Sequence, residues 1–136
     1  LRIELTRFKG KKPTILDYHT FHVGSAKEEY NLTIGDYQNA GRYDALSGHN
    51  GKKFTVKNST GAKHERDPCL DNGILSGGWW FERCNGANLN GPKLTIVLPG
   101  NLLGIIWIIK DEPQSYTYPY HKVEMKIRDA NFGFCT

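Results

Sequence analysis

The chain predicts an α+β domain that is mainly antiparallel β-sheet with short helices and long loops. Two observations carry that prediction. Apolar and polar residues alternate in several short stretches, which is the period of a half-buried strand. Glycine and proline, 15 and 6 of the 136 residues, punctuate those stretches, and 12% of the chain is aromatic. That mixture suits a loop-rich β protein better than a helical one, and the length suffices for one domain with a real core.

Residues 2–8 put Ile3 and Leu5 on one face of a first strand. Lys9, Gly10, Lys11, Lys12 and Pro13 form a turn, and residues 14–23, rich in β-branched and aromatic side chains, form a second strand. In 29–34 the alternation of Tyr30, Leu32 and Ile34 predicts a third strand, with Asn31 inside it, and 42–46 reads as a short helical turn. Regular periodicity then disappears between His49 and Gly78, a long irregular stretch of the kind that usually carries function or metal-supported structure. Residues 94–98 and 102–109 are apolar strands separated by Pro99, Gly100 and Asn101. Val123, Met125 and Ile127 alternate with Glu124, Lys126 and Arg128, which predicts a final half-buried strand.

A net charge of +4 is modest, and both signs are interspersed. No basic stripe interleaves with aromatics, so a nucleic-acid groove is not expected. No apolar run is long enough for a membrane-spanning helix, because the longest, 94–109, is broken by its central turn. Residues 1–5 already alternate like a strand, so no signal peptide is expected there.

Residues 77–91 are the most informative segment. They read Gly77, Gly78, Trp79, Trp80, Phe81, Glu82, Arg83, Cys84, Asn85, Gly86, Ala87, Asn88, Leu89, Asn90 and Gly91. Each tryptophan buries a large apolar surface and brings an N–H that needs a partner. Two Asn-Gly turn signals follow Cys84. The segment is expected to be rigid and partly exposed. The Trp-Trp pair, the cysteine and the Asn-Leu-Asn-Gly run together resemble the signature of the fibrinogen-related domain, as in fibrinogen chains, ficolin- and tachylectin-type lectins and angiopoietins. The order of Phe21, Val23, Gly24, Tyr30, Leu32, Gly35, then Asp44, Ala45, Leu46, then His49, Asn50, Gly51 and Phe54 follows that family. Gly104, Ile105, Ile106, Trp107 and the run from Val123 to Arg128 resemble its last strands. The resemblance covers nearly the whole chain. It implies a single, partial domain over residues 1–136 that lacks the family's N-terminal segment, whether as a fragment, a processed product or a short form.

The resemblance also implies a disulfide between Cys69 and Cys84. Such a bond would contribute about 3 kcal/mol on the loop-entropy model and would place the protein in an oxidising, extracellular setting. The other reading of the two cysteines is a pair of buried thiols. Cys135 is left over, free to link to another chain, to pair with a further segment or to stay a thiol. Asn31 and Asn58 each begin an N-glycosylation sequon, with Asn58, in a loop, the better candidate.

In the family a calcium ion organises the loop after the residue matched by Phe54, through an acidic pair and backbone carbonyls. Here the matching positions are Asn58 and Thr60, beside Lys57, with Glu65 and Asp67 further along. A hard cation gains most from carboxylates, so the calcium site is expected to be weak or absent. In the family's lectins an acetyl group sits beside the second cysteine. A cis peptide bond before that cysteine presents backbone N–H groups to the acetyl oxygen. The implied residues here are Arg83, Cys84 and Asn85, with Phe81, Tyr116 and Tyr118 as candidate aromatic walls. The rim departs from the family: Asn85 stands where the lectins commonly have His, and 110–114 is longer than usual.

No serine sits in a nucleophile elbow and no His-Glu-x-x-His is present, so catalysis is not expected. His49 matches a structural position of the family and is expected to be a hydrogen-bonded core or turn residue. The reading that follows is a secreted, non-catalytic recognition module of the innate-immune lectin type. Its ligands would be acetylated sugars or surface glycoproteins, and its copies could be linked through Cys135. The alternative is a protein–protein interaction domain of a fibrinogen- or angiopoietin-like protein, with the tyrosines of 116–120 as its contact surface. A third reading is a non-functional fragment with uncovered sheet edges.

Overall fold

A computed structural model describes residues 1–39, 43–56, 77–82, 86–92, 104–109, 111–116 and 119–131. Among them, β1 (Arg2–Thr6), β2 (Thr14–Val23), β3 (Leu32–Tyr37) and β6 (Lys122–Lys126) form one antiparallel sheet in the order β3-β2-β1-β6. A second, two-stranded antiparallel sheet pairs β4 (Thr55–Val56) with β5 (Gly78–Trp79). Short 3₁₀ turns occupy Ala26–Glu28, Ser47–His49 and Pro113–Tyr116. No described helix is long and apolar enough to cross a membrane. The mainly antiparallel α+β expectation therefore holds.

The long strand β2 is shared between two neighbours. Its first half pairs with β1, with Ile3 opposite Leu16, and its second half pairs with β3, with Val23 opposite Leu32. The buried positions change parity along it. Leu16 and Tyr18 are buried, whereas Phe21 and Val23 are the positions that pack on the core further along. Successive side chains point to opposite faces, so the two ends of β2 serve the core from opposite faces.

On β1 the buried pair Ile3 and Leu5 faces inward as expected, while Arg2 and Glu4 face the opposite way. In register, Glu4 lies opposite Glu124 of β6. Like charges directly opposite destabilise a sheet. Lys126 removes the conflict by reaching Glu4 at 2.8 Å and Glu124 at 3.0 Å, with Lys122 also on Glu124 at 2.6 Å. Hydrogen bonds from Lys122 and Lys126 pull the Glu124 carboxyl down to about 2.

Four sequence expectations are corrected. The third strand begins at Leu32 and not at residue 29, because Glu29 and Tyr30 have φ of 54° and 53°. Two successive left-handed residues turn the chain out of the extended conformation that a strand needs. The turn before them is set by Glu28, whose Oε2 accepts from the Ser25 N–H and hydroxyl, both at 2.8 Å, a capping arrangement. Asn31 accordingly precedes β3 and is not part of it. The helical turn expected at 42–46 lies at Ser47–His49. Asp44 caps it: one carboxylate oxygen accepts from the N–H of Leu46 at 3.1 Å and of Ser47 at 3.0 Å. In the stretch expected to be a strand over 102–109, Ile105 and Ile106 make only isolated bridges, to Tyr120 and Asn88. The last strand stops at Lys126, and Met125 and Ile127 are 37% and 70% exposed. The strand expected over 94–98 lies outside the described residues.

The core is continuous from the four-stranded sheet to the loop layer. Ile3, Leu5, Leu16, Tyr18, Leu32 and Ile34 meet Leu46, Trp79, Trp80, Ala87, Leu89, Trp107 and Ile109. Close backbone approach joins the loops within that layer. A Cβ on Gly91 would overlap the carbonyl oxygen of Gly104. Gly91→Ala is therefore expected to destabilise by about 2 kcal/mol or more, since backbone must move to admit the methyl. Gly48→Ala is the control, because nothing lies within 4 Å of the place its methyl would take and its φ is not positive. Denaturant unfolding should show it unchanged or slightly more stable. Equal midpoints for the two variants would refute the close approach.

Candidate functional site

The site grows from the Trp79–Trp80 pair. Both are buried, at 1% and 9% exposure, while the segment around them is partly exposed as expected, with Gly77 and Asn90 at the surface. Their rings meet edge to face at 5.3 Å, and Phe54 and Phe21 close on Trp80 at 5.2 and 6.4 Å. Such tilted contacts suit the ring quadrupoles. The Trp80 indole donates to the Tyr30 carbonyl at 2.7 Å and that of Trp107 to the Tyr43 carbonyl at 2.6 Å. The Trp79 indole N–H has no partner among the described residues.

His49 lies beneath this pair. Its Nδ1 is 2.6 Å from the Trp80 carbonyl oxygen, and its Nε2 is 3.0 Å from the Ala87 N–H. The partners assign the tautomer: a backbone N–H can only donate, so Nε2 accepts, and Nδ1 carries the proton toward the carbonyl. The ring is thus neutral and ties residue 80 to residue 87. Burial pushes its pKa below the ordinary value of 6.5, against the opposing pull of the Trp80 carbonyl and Glu82. Gly86 lies against the same ring, where any Cβ would come within 2.7 Å of Nε2 and 2.9 Å of Cε1. Lys52 pairs with Glu82 at 2.5 Å on the near flank.

The far flank is held as well. Asn88 exchanges backbone hydrogen bonds with Ile106 at 3.0 Å, and its Oδ1 accepts from the Asn90 N–H at 3.2 Å. The Asn90 amide donates to the Gly78 carbonyl at 2.7 Å. His49 in turn is positioned by a series of contacts from the sheet. The Tyr18 hydroxyl donates to Asp44 Oδ1 at 2.7 Å, and Asp44 caps the turn that carries His49. Burial, then Asp44, drives the Tyr18 pKa up.

Of the residues singled out in the sequence, Phe81 is half-buried and packs on the core. Tyr116 ends a 3₁₀ turn, whose Ser115 hydroxyl accepts from the Ile109 N–H at 2.9 Å. Tyr120 is half-buried, packs on the core and donates its N–H to the Ile105 carbonyl at 2.7 Å, which anchors its loop. Arg83, Cys84, Asn85 and Tyr118 lie outside the described residues, as do Cys69, Cys135, the glycosylation candidate Asn58 and the calcium candidates Asn58, Thr60 and Asp67. The described geometry thus consists of the two flanks of 83–85 and the histidine that joins them. Lys52 and Gly86 are not singled out by the sequence. The one signal for Gly86 is its place in the second half of an Asn-Gly pair.

Residues 1–130 match the family of the fibrinogen beta and gamma chains, C-terminal globular domain. The protein belongs to this fibrinogen C-terminal family. Human ficolin-3 is 30% identical over 128 residues, covering 94% of this chain and 40% of its own length. Bovine angiopoietin-1 is 34% identical over 134 residues, covering 97% and 25%. The solved fibrinogen-like globe domain of human ANGPTL2 is similar with a TM-score of 0.64 and 25% identity, over 90% of this chain and 54% of that one. This fibrinogen C-terminal domain therefore spans well under two thirds of the length of these relatives.

The neutral His49 makes stability depend on pH. Its folded pKa lies below its unfolded one, so below about pH 6.5 the unfolded chain takes up a proton that the folded chain refuses. The contribution is complete above that pH and is lost as pH falls toward the folded pKa, at up to about 1.4 kcal/mol per pH unit. Unfolding free energies measured at pH 7 and pH 5 should fall for the natural protein, and the fall should shrink in His49→Gln. Equal falls in both proteins would show that His49 is not the titrating group.

Proposed function

We propose that this domain is an extracellular, non-catalytic recognition module whose ligands are acetylated glycans. One observation carries the reading: His49 fixes the backbone at Trp80 and Ala87, the two ends of the segment that includes Arg83, Cys84 and Asn85. A carbonyl oxygen is best held by N–H donors that are already in place, because ordering them on binding costs free energy. In this reading, main-chain N–H groups of 83–85 hold the acetyl oxygen, and Phe81, Tyr116 and Tyr118 cover the methyl. Membership of the fibrinogen C-terminal family and the similarity to ficolin-3 support it. A disulfide between Cys69 and Cys84 would restrain the same segment from its other side.

One small site binds weakly, so capture of a surface needs several copies, and Cys135 is the proposed link between them. Calcium has no essential part in this reading. The side-chain donors available for it are Asn58, Thr60, Glu65 and Asp67, two neutral groups at the matching positions and two carboxylates further along, beside Lys57. That set does not fit a tightly held calcium ion.

The test is retention on an acetylated resin and elution with free N-acetylglucosamine. The natural protein should be retained and eluted. Gly86→Ala, which pushes on His49, should lower retention about tenfold, on the order of 1.4 kcal/mol. A folded protein that flows through would refute the lectin reading and transfer the assignment to protein recognition, the class suggested by the similarity to angiopoietin-1.

A further inference from the structure

Asn31 stands apart from the other asparagines that the fold uses. Asn39 accepts from the Asp17 N–H at 2.8 Å and donates to the Ile15 carbonyl at 3.2 Å. Asn50 accepts from the Ile34 N–H at 3.0 Å, and Asn88 and Asn90 brace the loop beside the tryptophans. The main chain of Asn31 is equally committed: its N–H donates to the Glu28 carbonyl at 3.2 Å and its carbonyl accepts from the Gly24 N–H at 2.9 Å. Its side chain makes no hydrogen bond among the described residues. The carboxamide rests over Gly24, where the missing Cβ leaves the room it occupies. A half-buried amide with no partner among the described residues leaves its polar atoms to water or to a substituent.

The surroundings suit a large substituent. Asn31 follows the turn Ala26–Glu28, in which no residue is buried. Thr33, the third residue of the sequon, is exposed on β3 opposite His22. Leu32 between them is fully buried and fixes both positions relative to the sheet. We propose that Asn31 is an N-glycosylated position, an inference that rests on the extracellular reading above. The co-reactant is an isoprenoid pyrophosphate-linked oligosaccharide of the secretory pathway. The Asn31 Nδ2 forms a bond to the anomeric carbon and gives up one proton. The bond from that carbon to the pyrophosphate oxygen breaks, and the lipid pyrophosphate leaves with the electron pair.

The experiment secretes the full chain from glycosylating eukaryotic cells behind an added leader, with Asn58→Gln to remove the second sequon. Intact mass is read, followed by peptide mapping after peptide N-glycosidase, which converts a modified asparagine to aspartate. The expected result is conversion at Asn31, loss of one glycan in Thr33→Ala and its retention in Thr33→Ser. Asparagine persisting at position 31 in a secreted, folded protein overturns the proposal. The extracellular reading is tested separately on protein from its natural source. A recombinant protein with the glycan and a natural one without it would uphold the site and overturn the location.

Discussion

The structure depends on a neutral histidine held inside the core. His49 spends both ring nitrogens on backbone groups thirty-one and thirty-eight positions away, the carbonyl of Trp80 and the N–H of Ala87. Neither backbone group belongs to a described strand, so without the ring both would be buried polar atoms with no partner, each costing about 1–3 kcal/mol. A protonated ring would donate from both nitrogens and meet a donor at Ala87. One proton therefore decides whether this loop layer is satisfied. Burial favours the neutral form, and the same burial makes the two hydrogen bonds stronger.

The histidine can do this only because other constraints place it. Tyr18 comes from the sheet, Asp44 receives its hydroxyl, and Asp44 also caps the short turn that ends in His49. Sheet and loop layer are thus joined by a polar relay running through an otherwise apolar core. Glycine provides the complementary condition. Gly86 leaves the ring its space, and Gly91 lets one loop lie directly on the carbonyl of Gly104. A loop-rich layer has few ladder hydrogen bonds to define it. Here its definition comes from bonds between side chains and backbone and from close approach.

Much of this is legible in the sequence, for identifiable reasons. β2 reads with its true ends because β-branched and aromatic residues run between a Pro13 turn and Gly24. β1 is legible because Ile3 and Leu5 keep a strict period of two. His49 reads as a hydrogen-bonded core or turn residue because it matches a structural position of the family. The pattern misleads where a local device overrides it. The alternation of Tyr30, Leu32 and Ile34 looks like a strand, yet the Ser25–Glu28 cap and two left-handed residues hold Tyr30 in a turn. The last strand's apolar positions alternate correctly and Val123 packs on the core, but β6 ends at Lys126 and Ile127 beyond it stays exposed. Neighbouring residues in a strand face opposite ways, yet both tryptophans are buried. In fact only Trp79 lies in β5, and Trp80 turns inward after it. The parity change in β2 has no local signal in the sequence; it falls where its neighbour changes from β1 to β3.

This division between scaffold and rim bears on the proposed ligand. On that reading, recognition rests on main-chain donors, and a main-chain donor survives replacement of its own side chain. On the same reading the departures from the family at Asn85 and at 110–114 would fall on the rim, whereas His49, Trp79 and Trp80 match the family's order. Changes at the rim alter which substituents a ligand can carry beyond its acetyl group. Changes at His49, or at the Gly86 that gives it room, alter the backbone itself. A protein that retained the second set while varying the first would keep the acetyl contact and exchange its specificity. On this reading residues outside the pocket's own lining, through the positions they impose on it, would set the common part of recognition.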